Sequence, residues 1–129
     1  MNWQLLLAGL IALVGGLGHA FDGERRFISA LLKSDIPLPF KTAYRSVWHV
    51  ITLMMLAAGV ILLLSGISNS AGGNLVLVQA IAVAFVLWAA VWLVIIVTTD
   101  SALLTRLPFW ILMILVAVLG WWGASVIGV

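Results

Sequence analysis

The charged side chains of this chain are confined to two short stretches, and the rest of the sequence carries none. Eight of the ten lie between Asp22 and Arg45: Asp22, Glu24, Arg25, Arg26, Lys33, Asp35, Lys41 and Arg45. The other two, Asp100 and Arg106, flank a second short break. A charged group in bilayer hydrocarbon costs several kcal/mol, so these stretches mark where the chain meets water. With 65% hydrophobic and 8% charged residues, the composition lies far from the roughly 25% charge of a soluble domain. The pattern predicts a multi-pass membrane protein.

The uncharged runs divide into four segments near the roughly 20 residues that a ~30 Å hydrocarbon core demands. They cover about Trp3 to His19, Tyr44 to Ser65, Asn74 to Thr98 and Pro108 to Ile127. Little remains for a soluble domain, so residues 1–129 read as one integral membrane domain. The expected fold is all-α: an up-down bundle of four transmembrane helices. A short amphipathic interfacial helix is expected between the first and second spans. In that connection Asp22 is positioned to cap a helix starting near Gly23. Phe27, Ile28, Leu31 and Leu32 would share one face of it, with Arg26, Ser29 and Lys33 opposite. Pro37 and Pro39 are expected to prevent regular helix and hold Ile36 and Leu38 extended.

The first span lacks a basic segment before Leu5 and a small-residue cleavage site, so it is expected to stay as a helix rather than leave as a signal peptide. Ala8, Ala12 and Gly16 recur every four residues along it and should let another helix backbone approach. The Gly66 to Gly73 connection reads as a short turn, with Asn74 capping the third span. Pro108 suits the start of the fourth. Trp3, Trp48 and Trp110 fall near predicted membrane interfaces. Trp88 and Trp92 lie deeper, one turn apart. The expectation for them is packing or lipid contact in preference to lining a cavity.

All six Lys and Arg residues sit in the first and third connections, which predicts that these are cytoplasmic and that both termini lie outside. The expected location is a bacterial inner membrane. A basic collar and a pI near 9.7 suit contact with anionic headgroups. The expected partners are the lipid bilayer and a second copy or a larger membrane complex. Nucleic acid is not among them, since the basic residues are few and tied to span ends. The chain has no cysteine, which excludes disulfides, thiolate chemistry and thiol metal sites.

One constellation could carry chemistry. His19 ends the first span, Glu24 follows, and Arg45 and His49 open the second on one helical face. His19, Glu24 and His49 are candidates for a ligand site or, with two imidazoles and a carboxylate, for a divalent metal. Asp22 and Arg45 would support them. Imidazoles also suit a proton or small-molecule path. The plainest alternative is a structural brace in which Glu24 pairs with Arg45. Asp100 and Arg106 form a second polar pair, expected to be a loop ion pair.

The spacings His-x-x-x-Gly-Glu-Arg, from His19 to Arg25, and Arg-x-x-Trp-His, from Arg45 to His49, carry a resemblance. On them, and on its hydrophobic layout, the chain resembles an uncharacterised family of small bacterial four-span membrane proteins. The resemblance implies no activity, only that these positions act together. Size and the lack of a catalytic motif favour a non-catalytic accessory or interaction protein. The alternatives are a subunit of a small-molecule or proton transporter, and a metal- or lipid-binding membrane protein using His19, Glu24 and His49.

Overall fold

The computed structural model describes residues 1–68 and 75–127. Its elements are α1 (Trp3–Gly23), a π-helical segment (Glu24–Ile28), α2 (Ser29–Lys33), α3 (Leu38–Ser68), α4 (Leu75–Thr99), α5 (Leu103–Arg106) and α6 (Phe109–Ile127). Among the described residues four helices are long and apolar enough to cross a membrane: Trp3–Lys33, Leu38–Ser68, Leu75–Thr99 and Phe109–Val126. The protein is an all-α bundle of four spans. The expected Gly66–Gly73 turn beyond Ser68 and the Asn74 cap lie outside the described residues.

The first span departs from the expected break. Asp22 does not cap a new helix; its carboxylate pairs with Arg26, one turn on, at 2.6 Å. Gly23 keeps helical torsions, φ −62° and ψ −49°, so the helix runs on into the π-helical segment and α2. The short helix expected between the first two spans is α2, and it continues the first span to Lys33 through the π-helical segment instead of standing apart from it. It stops at Ser34, whose ψ of 168° is extended. Lys41 reaches back from α3 to the Leu32 and Ser34 carbonyls, at 2.8 and 2.6 Å, and satisfies acceptors that a helix end leaves free.

The two prolines also act otherwise than expected. The Pro37 carbonyl accepts from the Phe40 and Lys41 amides at 3.0 and 3.3 Å, and α3 starts at Leu38. Pro39 is in the first turn, where a missing N–H removes no intrahelical bond. The second span is therefore 31 residues long, starting six residues before Tyr44. Leu107, forced from the helical region by Pro108, adopts φ −127° and ψ 70° and separates α5 from α6.

Packing places α1 at the centre, against α3 on one side and α6 on the other, with α4 on the far side of α6. Helices α3 and α4 hardly touch. The core is a stack of small and medium side chains. Leu5, Ala8, Ala12, Met55, Leu62 and Val116 are fully buried. A Cβ on Gly9 would lie 2.8 Å from the Gly59 carbonyl oxygen, so the backbones of α1 and α3 meet there. Close backbone approach of this kind is what holds helices together in lipid, where burying apolar surface gives little drive. The outward Leu10, Val14, Leu17, Leu53, Val60, Val86 and Val118 face the surroundings, as lipid-facing residues do.

The end of the bundle away from the charges is closed by Asn2. Its Oδ1 accepts from the Leu5 amide at 3.1 Å, its Nδ2 donates to the Gly123 carbonyl at 2.8 Å, and its backbone amide donates to the Gly66 carbonyl at 2.8 Å. One buried residue thus caps α1 and ties it to α3 and α6.

Candidate functional site

The charged end is built differently. Trp48 lies across α1 at Gly23, where a Cβ would collide with the indole ring. Only glycine lets the ring lie so close to the helix. The indole Nε1 donates to the His19 carbonyl at 3.1 Å, and the ring stacks on the His19 imidazole with centroids 4.1 Å apart and planes within 10°. Phe109 of α6 meets the same imidazole edge-on at 5.9 Å. Phe27 and Tyr44 flank Trp48 at 5.5 and 6.0 Å. His19 Nδ1 is hydrogen-bonded to Thr52 Oγ1 at 2.8 Å. His19 is 8% exposed, and its Nε2 makes no hydrogen bond within the described protein.

These rings form part of a cavity of about 420 Å³ in the gap left between α3 and α4. Its lining includes His19, Trp48, Trp88, Trp92 and Phe109, and no Lys, Arg, Asp or Glu among the described residues. Trp88 packs against the buried core, as expected, and meets Phe85 edge-on at 5.8 Å; it and Trp92 also form the α4 wall of the cavity. Trp92 Nε1 is buried with no hydrogen-bond acceptor among the described residues. Trp48, expected at the membrane interface, is the ring around which the other wall is organised.

The charged residues lie outside this lining. Glu24 is ion-paired with Arg45 through Oε1, and His49 Nε2 lies 3.2 Å from Oε2. Asp22 turns to Arg26 instead, and Arg45 is half exposed. The His19 imidazole is hydrogen-bonded to Thr52 and stacked on Trp48, and makes no ion pair with Glu24 among the described residues. Among the described residues, no group of three or more His, Asp or Glu is placed to hold a metal ion. Of the three residues weighed for a divalent metal, His19 lines the cavity, and Glu24 and His49 lie in the ion-pair network.

Asp100 and Arg106 do not pair. The Asp100 Oδ1 instead accepts from the Ala102 amide at 3.0 Å in a local turn.

Sequence reasoning missed the cavity because its wall is assembled from four spans. A partial signal was present in the one-turn spacings Tyr44–Trp48 and Trp88–Trp92, which put paired aromatics on one face of each helix. The π-helical segment was not legible either, although it includes the Glu24 and Arg25 that the motif singled out. Such insertions occur often at functional sites, since they re-aim the side chains that follow. Compared with known proteins, the chain matches no family model, no curated protein and no solved structure.

Proposed function

We propose that this is a small, non-catalytic accessory protein of a bacterial inner membrane that holds a lipid-soluble molecule in the cleft between its second and third spans. The observation that carries the reading is the aromatic cavity with its uncharged lining. A volume of about 420 Å³ lies within the roughly 300–1,000 Å³ of small-molecule sites, which are mostly apolar with a few polar groups. His19 supplies such a group, held in place by Thr52 and Trp48. The Glu24–Arg45–His49 network braces the α1–α3 hairpin beside the cavity and is assigned a positioning role. The motif resemblance supports the same grouping, because His19, Glu24, Arg45, Trp48 and His49 all fall in one half of the hairpin.

The orientation that accompanies this reading has both termini outside and the 22–45 and 100–106 stretches cytoplasmic, which puts the cavity in the cytoplasmic half of the bilayer. Reporter fusions at Val129 and near Ser70 should both read outside; a cytoplasmic signal at either would reverse it. Binding is tested with decylbenzene, a neutral alkyl aromatic, added to the purified protein in nanodiscs. A ligand that prefers the folded state raises stability by RT ln(1 + [L]/Kd), so the thermal midpoint should rise with concentration. The rise should vanish in Trp48→Ala and Trp88→Ala. No rise in the unaltered protein, either with decylbenzene or with a ring of the same tail that bears oxygens, would remove the binding reading.

A further inference from the structure

We propose that the cavity recognises a neutral, planar ring bearing carbonyl or hydroxyl oxygens: the head group of a lipid-soluble quinone, with its tail extending into the bilayer. The inference deepens the binding function above and rests on it. Three observations select this occupant.

The first is the wall. Trp48, Trp88, Trp92 and Phe109 border the space, and flat faces favour a flat guest that can stack or meet them edge-on. The second is charge. Among the described residues no Lys, Arg, Asp or Glu lines the cavity, and the nearby Glu24 and Arg45 are already paired with each other. A phosphate or carboxylate head would enter without a counter-charge, which low-dielectric surroundings penalise heavily. A neutral head meets no such barrier. The third is the pair of polar groups left over. Trp92 Nε1–H is shut off from solvent without an acceptor. Buried indole N–H groups ordinarily find one; this nitrogen exposes no surface to the cavity as it stands, so a ring oxygen becomes its acceptor only when the indole turns on binding. His19 Nε2 is the other group, and its neighbour Nδ1 is committed to Thr52. Thr52 Oγ1 also lies 3.2 Å from the Trp48 carbonyl. The hydroxyl can therefore donate to that carbonyl and accept from Nδ1–H, or donate to Nδ1. In the first arrangement Nε2 accepts, matching a hydroxyl; in the second it donates, matching a carbonyl. Both oxidation levels of a quinone head thus find a partner, and no electron transfer is required of the protein.

Space agrees with this division. A volume of about 420 Å³ suits a substituted ring and the first part of a tail, while a two-chain phospholipid exceeds it.

The test compares a decyl-tailed benzoquinone with decylbenzene, the same tail on a ring without oxygens, by thermal midpoint in nanodiscs. The quinone should bind at least tenfold more tightly. Trp92→Phe, which keeps a ring and removes the N–H, should weaken quinone binding about tenfold and leave decylbenzene unchanged. Equal affinity for the two probes, or an equal effect of Trp92→Phe on both, would overturn the head-group assignment while leaving the binding function standing. No response to either probe would overturn both. Should Trp92→Phe fail to fold, a photoreactive azidoquinone on the unaltered protein decides the matter. Label on cavity residues that excess quinone displaces and decylbenzene does not supports the assignment; label scattered over lipid-facing residues, or displaced equally by both, overturns it.

Discussion

Helix α3 meets α1 along one side and faces α4 along the other, and the two sides are built from opposite materials. Towards α1 it offers Gly59 and Gly66, and the facing residues include Gly9 and Gly16, so backbones come into contact. Towards α4 it offers Val47, Trp48 and Ile51, with Trp88 and Trp92 opposite, and a cavity remains. Neither face carries a charged side chain among the residues named, so polarity does not decide which closes. In lipid, the size of the side chain at the contact does: small residues allow dispersion contacts and weak backbone interactions to accumulate, and bulky rings hold the helices apart.

The contrast can be broken most sharply at the closed side. Gly9→Leu should cost about 3 kcal/mol or more, because the new Cβ meets the Gly59 carbonyl and the Leu63 amide nitrogen, each at 2.8 Å, and backbone atoms cannot step aside. Thermal or denaturant unfolding in detergent reads this directly. A loss below about 1 kcal/mol would mean that the two backbones are not in contact.

Asn2→Ala should cost about 2 kcal/mol, combining a lost helix cap with a carbonyl at Gly123 left without its donor. If closure at this end depends on Asn2, hydrogen exchange should also rise in the first turn of α1 and the last turns of α6. Unchanged exchange there would assign closure to packing alone.

Glu24→Gln tests the brace beside the open side. Glu24 and Arg45 side chains are 35% and 49% exposed, so solvent screens the pair and the expected loss is about 1 kcal/mol or less. Added salt should shrink the difference between the two proteins. A loss that persists at high salt would mean that packing, not charge, carries the contribution.

The smallest effect is expected on the wall of the gap. Trp92→Leu removes ring contacts, but it also removes an N–H that has no acceptor, and the two changes offset to within about 0.5 kcal/mol. The same substitution should weaken the binding of an aromatic probe. A large loss of stability without ligand would show that Trp92 holds the helices together rather than apart.

How much of this was legible in the residues varies by feature. Four spans followed from charge placement, since the cost of burying charge is local and acts on any chain in lipid. The close face of α1 followed from Ala8, Ala12 and Gly16, because helical period alone aligns them. The continuation of the first span through Asp22 did not, because a residue with good capping chemistry can instead pair one turn onward, as Asp22 does with Arg26. The Asp100–Arg106 pairing failed for a similar reason: the Ala102 amide was a nearer partner for the carboxylate.

The candidate site divides in the same way. Sequence alone determined that His19, Glu24, Arg45 and His49 would lie at one end of a hairpin, because helical rise sets their depth. Only the tertiary structure decided that His19 faces a cavity while Glu24 pairs with Arg45 and His49, and that Trp48, Trp88 and Trp92 enclose the space between. That outcome depends on which helices become neighbours and how closely they approach, and these follow from side-chain size summed along whole interfaces, which no single spacing in the chain encodes.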